Sequence, residues 1–152
     1  MRISARADYA VRATAELAAA PPGHPIKAEQ LSQSQGIPLK FLLNILVELK
    51  HARLVQSHRG AEGGYELARA PATITVADVI RAVEGPLATV QDSRPEDLHY
   101  QGAAASLSDV WVAVRSSLRA VLEQVTLADL VSGDLPQSVR RLAGLPEAWV
   151  SH

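Results

Sequence analysis

Between Pro38 and Tyr65 the chain carries, in order, a proline-started amphipathic stretch, a short apolar run and the glycine-rich turn Arg59-Gly60-Ala61-Glu62-Gly63-Gly64-Tyr65. Few folds accommodate that succession. At about 100° per residue, Leu42, Ile45, Leu46 and Leu49 fall on one helical face, and Lys40, Asn44, Val47 and His51 fall opposite. Pro38 suits a first helical turn, where a missing N–H costs nothing. Leu54 to His58 then reads as a strand and Tyr65 to Ala68 as its partner, the glycines between them supplying backbone angles that other residues resist. Upstream, Ser4 to Ala20 reads as a helix with Tyr9, Ala13 and Leu17 at i, i+4 and i+8, stopped by Pro21-Pro22-Gly23. Lys27 to Gln35 is a second, short helix ended by Gly36. Helix, tight turn, helix and hairpin is the layout of a winged helix-turn-helix, in which one helix enters a DNA major groove and the hairpin reaches toward phosphates.

The second half is punctuated by three hydroxyl-x-x-carboxylate spacings, each readable as a capping box: Thr75 with Asp78, Ser106 with Asp109, and Thr126 with Asp129. The first opens a short helix carrying Val79, Ile80 and Val83. The second opens the longest helix, along which Leu107, Trp111, Val114, Leu118, Val121 and Val125 recur at alternating spacings of four and three. Such a heptad seam, with few acceptors elsewhere in a small chain, predicts packing against the same helix of a second copy. The expected organisation is a winged helix-turn-helix over 1–85, a loop over 86–105, a dimerisation helix with a following short helix over 106–133, and a tail over 134–152 without an assigned role. The predicted fold class is mainly α with a small β-hairpin wing.

Charge divides along the chain. Residues 1–75 hold nine Lys/Arg against six Asp/Glu, a balance of +3, while residues 76–152 hold six against ten, a balance of −4. The basic half is the half with the helix-turn-helix pattern, as a protein with one phosphate-facing end requires. No apolar run approaches the roughly 18 residues of a membrane span, and the N-terminus lacks the apolar core of a signal peptide, so a cytoplasmic, non-membrane protein is expected. No phosphate loop with lysine, His-Glu-x-x-His or Gly-x-Ser-x-Gly is present, and the five histidines are scattered, so no enzyme is expected.

Within the pattern, Pro38, Leu39 and Lys40 at the start of the third helix, with Asn44 one turn on, are placed to meet DNA; lysine donates to guanine edges and asparagine pairs bidentately with adenine. Arg59 at the hairpin tip is the phosphate or minor-groove candidate, with Gly60, Gly63 and Gly64 allowing close backbone approach. Glu62 would repel phosphate and is expected to turn outward. Arg2, Arg6 and Lys27, near helix N-termini, are candidate phosphate anchors.

Taken together, Tyr9-Ala10-Val11, Gly36-Ile37-Pro38 with Phe41-Leu42, Leu54-Val55 through Arg59-Gly60 to Gly63-Gly64-Tyr65, Ile74 to Ile80 with Ala82-Val83-Glu84, and Thr126 to Val131 resemble the Rrf2 superfamily of bacterial winged-helix regulators. The resemblance implies a homodimer, more often a repressor than an activator, on a partly palindromic double-stranded operator, its two recognition helices about 34 Å apart or a multiple of it. It also implies a DNA contact at Leu43, where relatives often carry polar side chains; here apolar contact with a thymine methyl is expected. Many members hold an iron–sulfur cluster through three cysteines around the start of the long helix, at positions that fall here near Asp92 and Ser106. This chain has no cysteine, and such clusters are held chiefly by thiolates, so no cluster is expected. Asp92, Glu96, Asp97, His99 and Asp109 carry donors for another metal, yet capping and solvated loop explain them, and no metal site is expected. The effector is not legible. The alternative reading is a winged-helix protein-interaction module that does not bind DNA specifically.

Overall fold

The computed structural model describes residues 2–151. Its first helix, α1 (Ala5–Ala19), starts where the Ser4 hydroxyl accepts the Ala7 N–H at 3.0 Å, and it buries Ala7, Ala10, Ala13, Thr14 and Leu17. Small side chains let neighbours approach closely, and α1 packs against α2 (Ala28–Gln35), α3 (Leu39–His51), α4 (Val76–Glu84) and α6 (Leu127–Ser132). Thr14 is the buried polar exception, and its hydroxyl is satisfied by donating to the carbonyl of Ala10 at 2.9 Å.

Gly36 closes α2 in the left-handed conformation at φ 62°, and the Ile37 N–H returns to the Ser32 carbonyl at 3.0 Å. The chain thereby turns at once into α3. Pro38 stands one residue earlier than expected, as the extended cap rather than in the first turn; its carbonyl accepts the Leu42 N–H at 3.0 Å. The apolar face of α3 is the expected one: Leu42, Ile45, Leu46 and Leu49 are almost fully buried. Each such side chain contributes about 1.5–3 kcal/mol on leaving water. Together with Leu31, Ile37, Ile74, Val79 and Leu127 they form one core.

The wing is an antiparallel pair, β1 (Val55–His58) and β2 (Gly64–Leu67), in the register Val55↔Leu67 to His58↔Gly64. A third piece of extended chain joins it. Ile26, just before α2, exchanges both backbone hydrogen bonds with Tyr65, each 2.8 Å long.

Two of the three expected capping boxes form. Thr75 and Asp78 exchange bonds of 3.1 and 3.0 Å, and Thr126 and Asp129 exchange bonds of 3.1 and 2.8 Å. The Asp129 carboxyl is accordingly held below its ordinary pKa, chiefly by the Thr126 backbone N–H and then by its hydroxyl. Ser106 does not cap α5 (Leu107–Leu122). A 3-10 turn over Gly102–Ala104 precedes it, and at φ −85°, ψ 3° its backbone is too near helical to swing the hydroxyl over the first N–H groups.

The two boxed helix starts lie side by side. Val76 N–H donates to the Val125 carbonyl and Leu127 N–H to the Ile74 carbonyl, both at 2.9 Å. The chain therefore leaves the first unit after α4, runs out along α5 and returns, so that Leu127 enters the core and α6 packs on α1. The short helix, expected within the 106–133 segment that follows the loop, thus packs back on the first unit. Val125, expected as the last seam residue, lies beyond the end of α5 and is buried at 6% exposure beside Val76. The tail folds into α7 (Gln137–Ala143) and a 3-10 turn over Pro146–Trp149.

Candidate nucleic-acid interface

The outward face of α3 carries Lys40, Asn44, Val47 and His51, all exposed, with Pro38, Leu39 and Leu43 exposed beside them. Four apolar side chains on this one helix stand in water: Leu39 at 36%, Phe41 at 55%, Leu43 at 42% and Val47 at 48%. A helix with a complete core face on its other side gains nothing from them in solution; they suit a surface that meets methyl groups and sugar edges in a groove.

The helix is aimed by α1. Phe41 packs edge-on to Tyr9, ring centroids 6.4 Å apart at 81°, and the Arg12 guanidinium sits 5.5 Å from the Tyr9 ring centroid. Arg12 also donates to the Gln35 side chain at 3.2 Å, to the Gln35 backbone carbonyl and to Asp8 at 3.0 Å. One side chain thus ties the end of α2 to α1 immediately before the turn that launches α3. Sequence reading missed this role of Arg12, because the partner carbonyl lies 23 positions away and no local spacing announces it.

At the wing tip Arg59 is exposed, and among the described residues it makes no ion pair. Gly60 adopts φ 104° and its carbonyl accepts the Gly63 N–H at 3.0 Å. Gly63 and Gly64 need a different explanation from the expected approach to phosphate. Gly63 is buried with its N–H spent inside the turn, and a Cβ on it would fall 2.3 Å from the His58 carbonyl oxygen. A Cβ on Gly64 would fall 2.6 Å from the Ile26 carbonyl. Both glycines let the chain approach itself, and the second lets Ile26 lock the wing to the body. Glu62 is exposed, as expected. At the wing base Glu66 accepts from His58 Nε2 and from Gln56, each at 2.7 Å, and these bonds hold its carboxyl below the ordinary range, His58 contributing most.

Positive charge is distributed with the same bias. Among the described residues, Arg2, Lys27, Lys40, Lys50, Arg53 and Arg59 in the first half form no ion pair, against Arg94 and Arg141 in the second. Arg6 is engaged with Glu48 at 3.7 Å, which makes it a weaker phosphate anchor than Arg2 or Lys27. Six free cations among the described residues of the first half against two in the second bias the positive surface toward the helix-turn-helix unit in a chain of net charge −1.

The Rrf2 family model, described as an iron-dependent transcriptional regulator, matches residues 3–133. The chain belongs to the Rrf2 family. It is a DNA-binding transcriptional regulator, not an enzyme. A protein of Mycobacterium tuberculosis named as an HTH-type transcriptional regulator, Rv1287, is 53% identical over 143 residues, covering 94% of this chain and 89% of that one. The HTH-type regulator CymR of Bacillus subtilis is 32% identical over 132 residues, covering 87% and 91%. Its solved structure, titled as that of the global cysteine regulator, superposes with a TM-score of 0.71 over 88% of this chain and 98% of that one at 31% identity. The structure of T. potens IscR gives 0.71 over 93% and 96% at 30% identity.

In this Rrf2 protein the α5 seam is only half covered. Leu107, Trp111, Val114, Leu118 and Val121 are each partly buried, and Trp111 donates its indole N–H to the Tyr100 hydroxyl at 3.2 Å, so the chain's own 86–105 loop takes part of the face expected to meet a second copy. The apolar residues standing free on α5 are Val110 at 50% and Val112 at 36%. No residue of this 16-residue helix is fully buried.

The residues around the family's cluster position do not fit an iron–sulfur group. Asp92 is exposed at φ 61°, Ser106 is exposed, neither carries sulfur, and the chain has no cysteine. Among the described residues no three His, Asp or Glu side chains converge as a metal site. No helix among the described residues is long and apolar enough to cross a membrane.

Proposed function

We propose that this Rrf2 regulator acts in the cytoplasm as a homodimeric repressor on a partly palindromic operator, and that it works without an iron–sulfur cluster. The observation that carries the dimer is α5: a 16-residue helix with no fully buried residue, its apolar seam half covered and Val110 exposed beside it, is an apolar element without a complete cover. A two-fold partner across α5 would place two copies of α3 and the wing for successive major grooves, about 34 Å apart or a multiple of it. Lys40 and Asn44 would read base edges, Leu43 a thymine methyl, Arg59 phosphate at the groove margin, and Arg2 and Lys27 the flanking backbone. Absence of cysteine supports a cluster-free protein, because carboxylates and hydroxyls do not replace thiolates around bridging sulfide.

The deciding experiment selects duplexes from a random pool and measures affinity for the selected sequence against salt, with the stoichiometry read by sedimentation. A two-fold-related sequence, two chains per duplex and affinity that falls steeply with salt are the expected results. One chain per duplex removes the dimer, and a pool that shows no enrichment removes specific recognition. Placing the selected site over a reporter promoter should lower its output; a rise identifies an activator. Anaerobic reconstitution with iron and sulfide should leave the protein colourless, and a visible band with stoichiometric iron would overturn the cluster-free reading.

A further inference from the structure

Four arginines gather where the helix-turn-helix unit meets α5. A cleft of about 240 Å³ is lined by Arg81 of α4, Pro86, Leu87, Arg94 and Glu96 of the following loop, and Arg115 and Arg119 of α5. A second hollow of about 420 Å³ continues from it along α5 and shares Arg115 and Arg119. The four guanidinium groups are answered by two carboxylates. Glu123 takes Arg81 and Arg119, the latter at 2.9 Å, and Glu96 takes Arg115. Arg94 forms no ion pair among the described residues. The local excess is therefore two positive charges around a concave, partly apolar floor, in the half of the chain whose overall balance is negative. Both carboxyls are held below their ordinary range: Glu123 chiefly by Arg81 and then Arg119, Glu96 chiefly by its own backbone N–H and then Arg115.

We propose that this cleft binds a small dianionic oxyanion, such as a phosphate, sulfate or dicarboxylate group, between α4, the 86–98 loop and α5. Guanidinium forks match the geometry of such groups bidentately, and a dianion neutralises the excess charge that Glu96 and Glu123 leave. The cleft itself, at about 240 Å³, seats the anionic group of a small ligand, and the adjoining hollow along α5 leaves room for the rest of it. Because Arg81 rides on the DNA-binding unit and Arg115 and Arg119 ride on α5, a bound dianion joins the two beside the Arg81–Glu123–Arg119 contact that already links them. Its control of operator affinity rests on the regulator reading above; the binding itself does not.

The test is isothermal titration calorimetry of the full chain, without DNA, with inorganic phosphate, sulfate and succinate, each at constant ionic strength, and with acetate as the monoanionic control. One saturable site per chain for at least one dianion, absent for acetate, is expected, and the order among the three identifies the oxyanion. Arg94→Gln should weaken it by roughly tenfold, the loss of one charge-assisted contact. It should leave thermal unfolding unchanged, since Arg94 supports no ion pair. Arg59→Ala should leave anion binding intact. No saturable binding up to about 10 mM, or binding that Arg59→Ala abolishes and Arg94→Gln spares, overturns the proposal, the second because the anion would then sit on the DNA face. Operator binding by the unsubstituted chain keeps the two readings apart: specific DNA binding with no anion site refutes this inference alone, and a saturable anion site with no DNA binding refutes the operator reading alone.

Discussion

Replacing Arg59 with Ala should change how affinity depends on salt, by an amount that also counts protomers. Arg59 is exposed at the wing tip and makes no ion pair among the described residues, so its removal disturbs no fold contact. If each protomer brings Arg2, Lys27 and Arg59 to phosphates, a dimer neutralises about six, and log affinity should fall against log salt with a slope of about −5.4. The variant dimer loses two of these, so the slope should shrink to about −3.6. Discounting each exposed contact for screening to about 1 kcal/mol, affinity at low salt should drop roughly 30-fold, equally for the selected operator and for unrelated duplex. Fluorescence anisotropy across a salt series reads both quantities. Asn44→Ala is the contrast: an unchanged slope, with about 1–3 kcal/mol of base discrimination lost at one operator position. A slope that Arg59→Ala leaves unchanged refutes the phosphate role, and a change of only about one unit refutes two wings acting together.

Gly64→Ala should loosen the wing, because the new Cβ falls 2.6 Å from the Ile26 carbonyl at a backbone φ of 148°; a loss of about 2 kcal/mol or more in denaturant unfolding is expected, and an unchanged midpoint would show that Ile26 does not clamp the hairpin. Val110→Asp should yield a helical monomer by sedimentation and circular dichroism, since Val110 is 50% exposed in the single chain; a persistent dimer would place the interface elsewhere. Glu123 has a native pKa lowered by Arg81 and then Arg119, so its contribution is complete above the ordinary glutamate value of about 4.3 and is lost as pH falls through the native value. Glu123→Gln should therefore flatten the acid limb of the stability profile, and an unaltered limb would mean that the Arg81–Glu123–Arg119 cluster does not persist in solution.

The local elements were largely legible. The period of α3 put Leu42, Ile45, Leu46 and Leu49 inside and Lys40, Asn44 and His51 outside, and the structure agrees. Thr75-x-x-Asp78 and Thr126-x-x-Asp129 marked true helix starts. Ser106-x-x-Asp109 has the same spacing and fails, because a cap depends on the incoming backbone angle, which the preceding turn sets. The arginine cleft left no trace in any motif. Its four members come from α4, a loop and α5, and beyond the i, i+4 pair Arg115–Arg119 no spacing links them.

By itself the sequence determined the helix-turn-helix and wing, whose signals are local: apolar period, a left-handed glycine stop, and turn residues at fixed offsets. It also determined the absence of thiolate ligands, since zero cysteines is a fact of composition. Only the tertiary structure decided which glycines serve the chain's own packing, that Ile26 completes the wing, and that Leu127 returns to the core after α5. Those outcomes depend on contacts between distant positions, where spatial neighbours share no spacing along the chain. The heptad shows the limit most clearly: its spacing predicts packing against a second copy, yet the chain's own loop covers part of the face, and burial alone does not say whose surface does the burying.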